Sequence, residues 1–243
     1  MIKRFKIILP ASIVMLLSSL ALVSCSKEKT MTVVQFDERE KGIDPYQVRY
    51  LFADHVVRID DNNDKGNYVI YDDKKRMIYS VNHDDSTVLE IKNSEWEVPK
   101  FGFERNVSWK LLEGAPAVDS KPVYSYYLSA DETVCSEAQV VEGFLLAESH
   151  LLKRYRQTLS AGQAESIEAT PEELRTPCLL IDSVYNTGSV YDKGFPLQQW
   201  HLNGLQRIMT SYKTDEKYNA KLFELPKDYK HYSMGDNLSF GAP

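Results

Sequence analysis

Three groups of residues in this 243-residue chain could do chemistry: three cysteines, five histidines and several acidic clusters. The histidines, His55, His83, His150, His201 and His231, are scattered, and no pair has the spacing of metal ligands. His55 and His201 fall in strand-like runs, where a histidine more often packs half-buried than acts as a base. Asp60, Asn62 and Asp64 alternate like the first ligands of a calcium loop. Such a loop wants glycine at its sixth position and glutamate at its twelfth; Lys65 and Tyr71 stand there instead, so the stretch reads as a solvated turn. Asn82-His83-Asp84-Asp85 sets a histidine beside carboxylates, yet it lies between two strand-like runs and reads as a hairpin turn. No Gly-x-Ser-x-Gly elbow offers a serine nucleophile. The carboxylate pairs gather at turns, whereas a glycosidase needs two in one cleft. The expectation is a non-enzyme with no catalytic residue, no metal and no cofactor.

The cysteines carry more definite chemistry. Lys3, Arg4 and Lys6 precede an apolar run over residues 7–23, broken by Pro10 and by serines. A membrane-spanning helix needs about 20 apolar residues; a charged start, a short apolar middle and small residues at the end describe a secretory signal. Leu22-Val23-Ser24-Cys25 resembles the lipobox of bacterial lipoproteins, in which cleavage precedes the cysteine and that cysteine is acylated. An ordinary signal peptide or an uncleaved anchor is the alternative. Acyl chains on Cys25 would hold the chain at a membrane, each buried CH₂ contributing roughly 0.8 kcal/mol. The expected organisation is a signal over residues 1–24, a lipidated tether over 25–31 and a single domain over 32–243. Ser26, in place of aspartate, favours the outer membrane by analogy with enterobacterial sorting. In an oxidising compartment Cys135 and Cys178 pair as a disulfide, two buried free thiols being the alternative. The bridge would close a loop of about 42 residues, worth roughly 4 kcal/mol in the chain-entropy model.

The net charge is −6, and three units more negative without the signal. No basic footprint for a nucleic acid is present, and none is expected as a partner. The elements that position the remaining residues are mostly strands. Val48, Tyr50 and Phe52 alternate, and Val57 and Ile59 continue after a break. Runs at residues 68–71, 77–81 and 87–91 are separated by Asp/Asn/Lys turns, the pattern of an antiparallel meander. Residues 107–112 and 123–128 read as further strands. The period then changes to that of a helix over residues 137–159. Residues 160–177 read as a loop with a helical turn at 171–174, and 178–185 as a strand. Residues 197–202 and 207–212 form a hairpin across Asn203-Gly204.

Tyr50 to Ile59, Tyr68-Val69-Ile70-Tyr71-Asp72 and Met77-Ile78-Tyr79-Ser80-Val81, followed late in the chain by Gly194-Phe195-Pro196-Leu197 and Leu222-Phe223-Glu224-Leu225-Pro226-Lys227-Asp228-Tyr229, resemble the LolA/LolB-like superfamily of envelope proteins. The order of these weak motifs carries the resemblance, over about two-thirds of the mature chain. It implies a mainly β (α+β) fold: a curved antiparallel sheet, or open half-barrel, wrapped on a central helix. It also implies an apolar concave face and a carrier or binding role for a lipid or acyl chain. Tyr50, Phe52, Tyr68, Tyr79, Trp109, Tyr126 and Trp200 are the candidates to line that face; the alternative is that they simply pack sheet against helix. The expected partners are the membrane, through the anchor, a lipid or acyl ligand, and an envelope protein. A sensor or interaction protein acting through its surface is the second expectation.

Overall fold

The computed structural model describes residues 28–93, 102–185 and 187–233. Cys25 and the signal expected before it lie outside the described residues. The elements run β1 (Thr30–Arg39), β2 (Tyr46–Ala53), β3 (Val56–Asp60), β4 (Tyr68–Asp72), β5 (Met77–Asn82), β6 (Thr87–Lys92), β7 (Arg105–Leu111), β8 (Val123–Ala130), β9 (Thr133–Glu142), α1 (Leu146–Ser166), α2 (Pro177–Ser183), β10 (Gly194–His201), β11 (Gln206–Lys217) and β12 (Lys230–Ser233). Among the described residues, twelve strands join one open sheet in the order β12-β6-β5-β4-β3-β2-β1-β11-β10-β9-β8-β7. Only the β12–β6 pair is parallel. The described residues are therefore mainly β, with two α-helices, as expected at that level. Among the described residues no helix is long and apolar enough to cross a membrane.

The meander forms because short polar turns alternate with strands that bury residues on both faces. Asp72 and Asn82 accept backbone N–H groups in the β4–β5 and β5–β6 turns, as Asx turns do. On one face Val34, Phe36, Tyr50, Phe52, Val57 and Tyr71 pack against Leu151 and Leu152 of α1. On the other, Tyr68, Ile70, Tyr79, Val81 and Val88 are covered by Leu225 and Tyr229. The C-terminal segment that covers them is a strap across the sheet, and it ends by pairing β12 with β6.

The strap is tied by a buried cation. Arg58, 2% exposed, donates through Nη1 to the Leu222 carbonyl at 2.9 Å and stacks 3.9 Å over the Tyr68 ring. Its Nε bonds Asp60 at 2.7 Å, and Asp60 also receives two bonds from Arg49. The Tyr68 hydroxyl donates to the Glu224 carbonyl at 2.8 Å. Asp60 and Asp64, which alternate like calcium ligands, thus accept from arginines: Arg49 reaches Asp64 at 2.6 Å.

Four local expectations are corrected. The helix spans Leu146–Ser166, not 137–159. Residues 137–142 belong to β9, paired on both sides by β8 and β10. The chain turns into the helix at Gly143 (φ 68°) and Leu145 (φ 43°), and both strand pairings outweigh the helical spacing read from Val141 and Phe144. The helix also runs past Leu159 through residues read as loop. Residues 178–185 are not a strand: Thr176 caps α2 by accepting from Leu179 N, and Pro177 occupies its first turn, where the missing N–H costs nothing. The segment 25–31 is not wholly a tether, since β1 begins at Thr30. The helical turn at Glu172–Leu174 and the hairpin across Asn203-Gly204 are present. Cys135 and Cys178 form a disulfide with Cα atoms 5.1 Å apart, which joins β9 to α2 rather than to a strand.

Candidate functional site

Between the sheet and α1 the packing leaves a cavity of about 120 Å³. Its polar wall is assembled from several elements. β2 supplies Tyr50, α1 supplies Tyr155 and Arg156, the turn at Ser189–Tyr191 supplies Tyr191, β10 supplies Gln199 and His201, and β11 supplies Arg207. Leu128, Ala138, Leu152, Val190 and Leu205 form the apolar wall.

Arg207 and Glu38 face each other in the β1–β11 register. Arg207 Nε donates to Glu38 Oε1 at 2.6 Å, and Nη1 makes a long contact of 3.5 Å with Gln199 Oε1. Nη2 has no partner among the described residues. The guanidinium sits 5.6 Å from the ring centroids of both Phe36 and Tyr50. Glu38 is 4% exposed and also accepts from the Tyr46 hydroxyl at 3.1 Å. Burial alone would lower the Arg207 pKa, but Tyr50, Glu38 and Tyr191 outweigh it and hold the guanidinium charged more firmly than in water.

Tyr50 and Tyr191 are each 4% exposed and Tyr155 is half-buried. None of their hydroxyls has a hydrogen-bond partner among the described residues, and all three residues line the cavity. Burial pushes the pKa of all three up, while Arg207 pulls each of them down and Arg156 pulls down Tyr155 and Tyr191. Arg156 makes only a 3.4 Å contact to the Asp182 carbonyl and forms no ion pair among the described residues. His201 Nδ1 lies 3.3 Å from Asp182 Oδ2. Glu137, half-exposed, also lines the cavity.

The seven candidate aromatics do not converge on one site. Tyr50 and Tyr126 line the cavity, and Trp109 packs on Tyr126 at 4.8 Å between centroids. The Tyr126 hydroxyl is spent on Ser189 at 2.8 Å. Phe52 stacks on Tyr50 and lines a separate pocket of about 210 Å³ with Thr32, Glu148 and Leu151. Tyr68 and Tyr79 lie on the opposite face under the strap. Trp200 alternates with Gln199 and His201, which line the cavity, and so belongs to the other face of β10. The residues that sequence reasoning missed are Glu38, Tyr155, Arg156, Tyr191, Gln199 and Arg207. One signal was available: in Thr32-x-Val34-x-Phe36-x-Glu38 an alternating inward face ends on a carboxylate.

No protein-family model matches the sequence, and no curated protein matches it significantly. Among solved structures, an uncharacterised conserved protein from Thermus thermophilus is similar at TM-score 0.44 and 9% identity, over 84% of this chain and 91% of that one. PNGF-II is similar in two crystal forms, at TM-scores of 0.40 and 0.41 and identities of 9% and 8%. Each of those matches covers 84% of this chain but 31% and 32% of PNGF-II, so the chain spans about a third of that protein. At this level of similarity the neighbours carry no functional argument, and the cavity is read from its own chemistry.

Proposed function

We propose that this chain is a lipid-anchored envelope protein whose domain is a non-enzymatic binding module, with the cavity under α1 as its ligand site. The ligand class is an amphiphile with an acyl part. The observation that supports this reading is a polar wall of Arg207 and three tyrosines whose hydroxyls have no partner among the described residues, set with an apolar wall of Leu128, Ala138, Leu152 and Val190. Binding sites of this kind pair apolar lining with a few convergent polar groups.

The volume limits the reading. An engineered cavity of roughly 150 Å³ takes a benzene ring, so 120 Å³ suits a short chain or the end of a longer one. Carriage of a whole acyl chain, as the LolA-like resemblance implies, requires α1 to lift from the sheet face that Leu151 and Leu152 now fill. The anchor and the outer-membrane location rest on the sequence around Cys25. Native mass spectrometry of the protein purified from membranes tests the binding role. Co-purified acyl species, or uptake of an added acyl probe, is the expected result; an empty protein that takes up no probe overturns it. Radiolabelled palmitate tests the anchor: incorporation is expected in the unmodified chain and none in Cys25→Ala.

The second reading, an interaction protein acting through its surface, draws on apolar residues left outside. Leu202 is 64% exposed and Val134 45%, and Leu202 N bonds the Cys135 carbonyl beside Val134. Crosslinking in cells separates the two readings: capture of a partner that survives filling of the cavity favours the surface.

A further inference from the structure

We propose that the group held in the cavity is an organic carboxylate, gripped by the guanidinium groups of Arg207 and Arg156 and by the hydroxyls of Tyr50, Tyr155 and Tyr191. This rests on the cavity being the ligand site.

The donors are built for an acceptor. Arg207 spends Nε on Glu38 and only a long contact of Nη1 on Gln199, which leaves the Nη2 edge of its fork without a protein partner among the described residues. Guanidinium N–H groups in a plane match the two oxygens of a carboxylate. Arg156 lines the same cavity and no carboxylate neutralises it among the described residues. Tyr50 and Tyr191, more than nine-tenths buried, bring hydroxyl donors that no described residue satisfies. Arg156 and Arg207 line the cavity together with Tyr155 and Tyr191, so two cations and two hydroxyls meet in one space, with the charge of Glu38 already engaged by Arg207.

The remaining walls select among anions. A phosphate dianion would meet the apolar side formed by Leu128, Leu152 and Val190 and the negative charges of Glu38 and Glu137. A monoanion with a short hydrocarbon tail satisfies both walls. Arg207 keeps 21% of its side chain exposed, so the cation is reachable from solvent.

The experiment is calorimetric or NMR titration of the full chain with pentanoate, with its neutral isostere pentanamide and with inorganic phosphate. Pentanoate is expected to bind at least tenfold more tightly than pentanamide or phosphate. Arg156→Gln and Tyr191→Phe, which remove no ion pair and no hydrogen bond tighter than 3.4 Å, should each weaken pentanoate threefold or more and leave pentanamide within twofold. Circular dichroism confirms that both variants fold. Equal binding of pentanoate and pentanamide, or tighter binding of phosphate, overturns the carboxylate and leaves the cavity reading standing. Failure of all three to bind overturns both.

Discussion

Glu38 and Arg207 are 169 residues apart in sequence and 2.6 Å apart across two strands. Removing one member of a buried ion pair strands the other charge, at a cost of roughly 3–5 kcal/mol. Because Arg207 is 21% exposed, Glu38→Ala should fall at the low end, about 3 kcal/mol in urea unfolding. Replacing both residues, Glu38→Leu with Arg207→Met, should recover most of that loss. Tyr126 gives a prediction in pH. Burial pushes its pKa from 10.0 to about 12, against the opposing effect of the Ser189 hydrogen bond. The folded state therefore holds the phenolic proton where the unfolded chain has released it. Its contribution is complete below pH 10 and is lost as pH rises towards 12, at roughly 1.4 kcal/mol per pH unit. Tyr126→Phe should flatten that part of a stability-against-pH curve; an unchanged slope would show that other groups set it.

At the scale of elements, the meander was legible because turn residues and alternation coincide locally in β3 to β6. The hairpin across Asn203-Gly204 was legible for the same reason. The helix start was not. Val140 and Val141 fit a helix face with Phe144, but β8 and β10 pair with them across the sheet, and only that pairing decides the conformation. For α2 the signal was present and local: Thr176 followed by Pro177 is a helix start, obscured by the apolar run after it. The cavity was the least legible part, because its polar wall is assembled from strands, α1 and a turn that lie far apart in sequence. Gly194 tests the β9–β10 junction. A Cβ there would meet the Val141 carbonyl oxygen at 2.0 Å, so Gly194→Ala should separate the strands and lower the unfolding midpoint. The disulfide, with a sequence separation of 43, should stabilise by about 4 kcal/mol in the chain-entropy model. Cys135→Ser with Cys178→Ser should lose that amount and raise amide exchange in α2, the short helix that the bridge ties to β9.

On the scale of the molecule, parts of the same chain pack on both faces of one sheet. α1 packs on one, and the strap tied by Arg58 packs on the other over β3 to β6. The cavity lies where the helix and the sheet do not close completely, and the polar groups left there are what a bound carboxylate would satisfy. A titration series of straight-chain carboxylates from acetate to octanoate into the full chain tests that claim most directly. Each added CH₂ should tighten binding by roughly 0.8 kcal/mol, about fourfold, until the space of about 120 Å³ is full and the gain stops. Leu205→Trp, which fills the cavity wall at a half-buried turn position, should abolish the series. No binding at any length, or a series that Leu205→Trp leaves unchanged, would contradict the account.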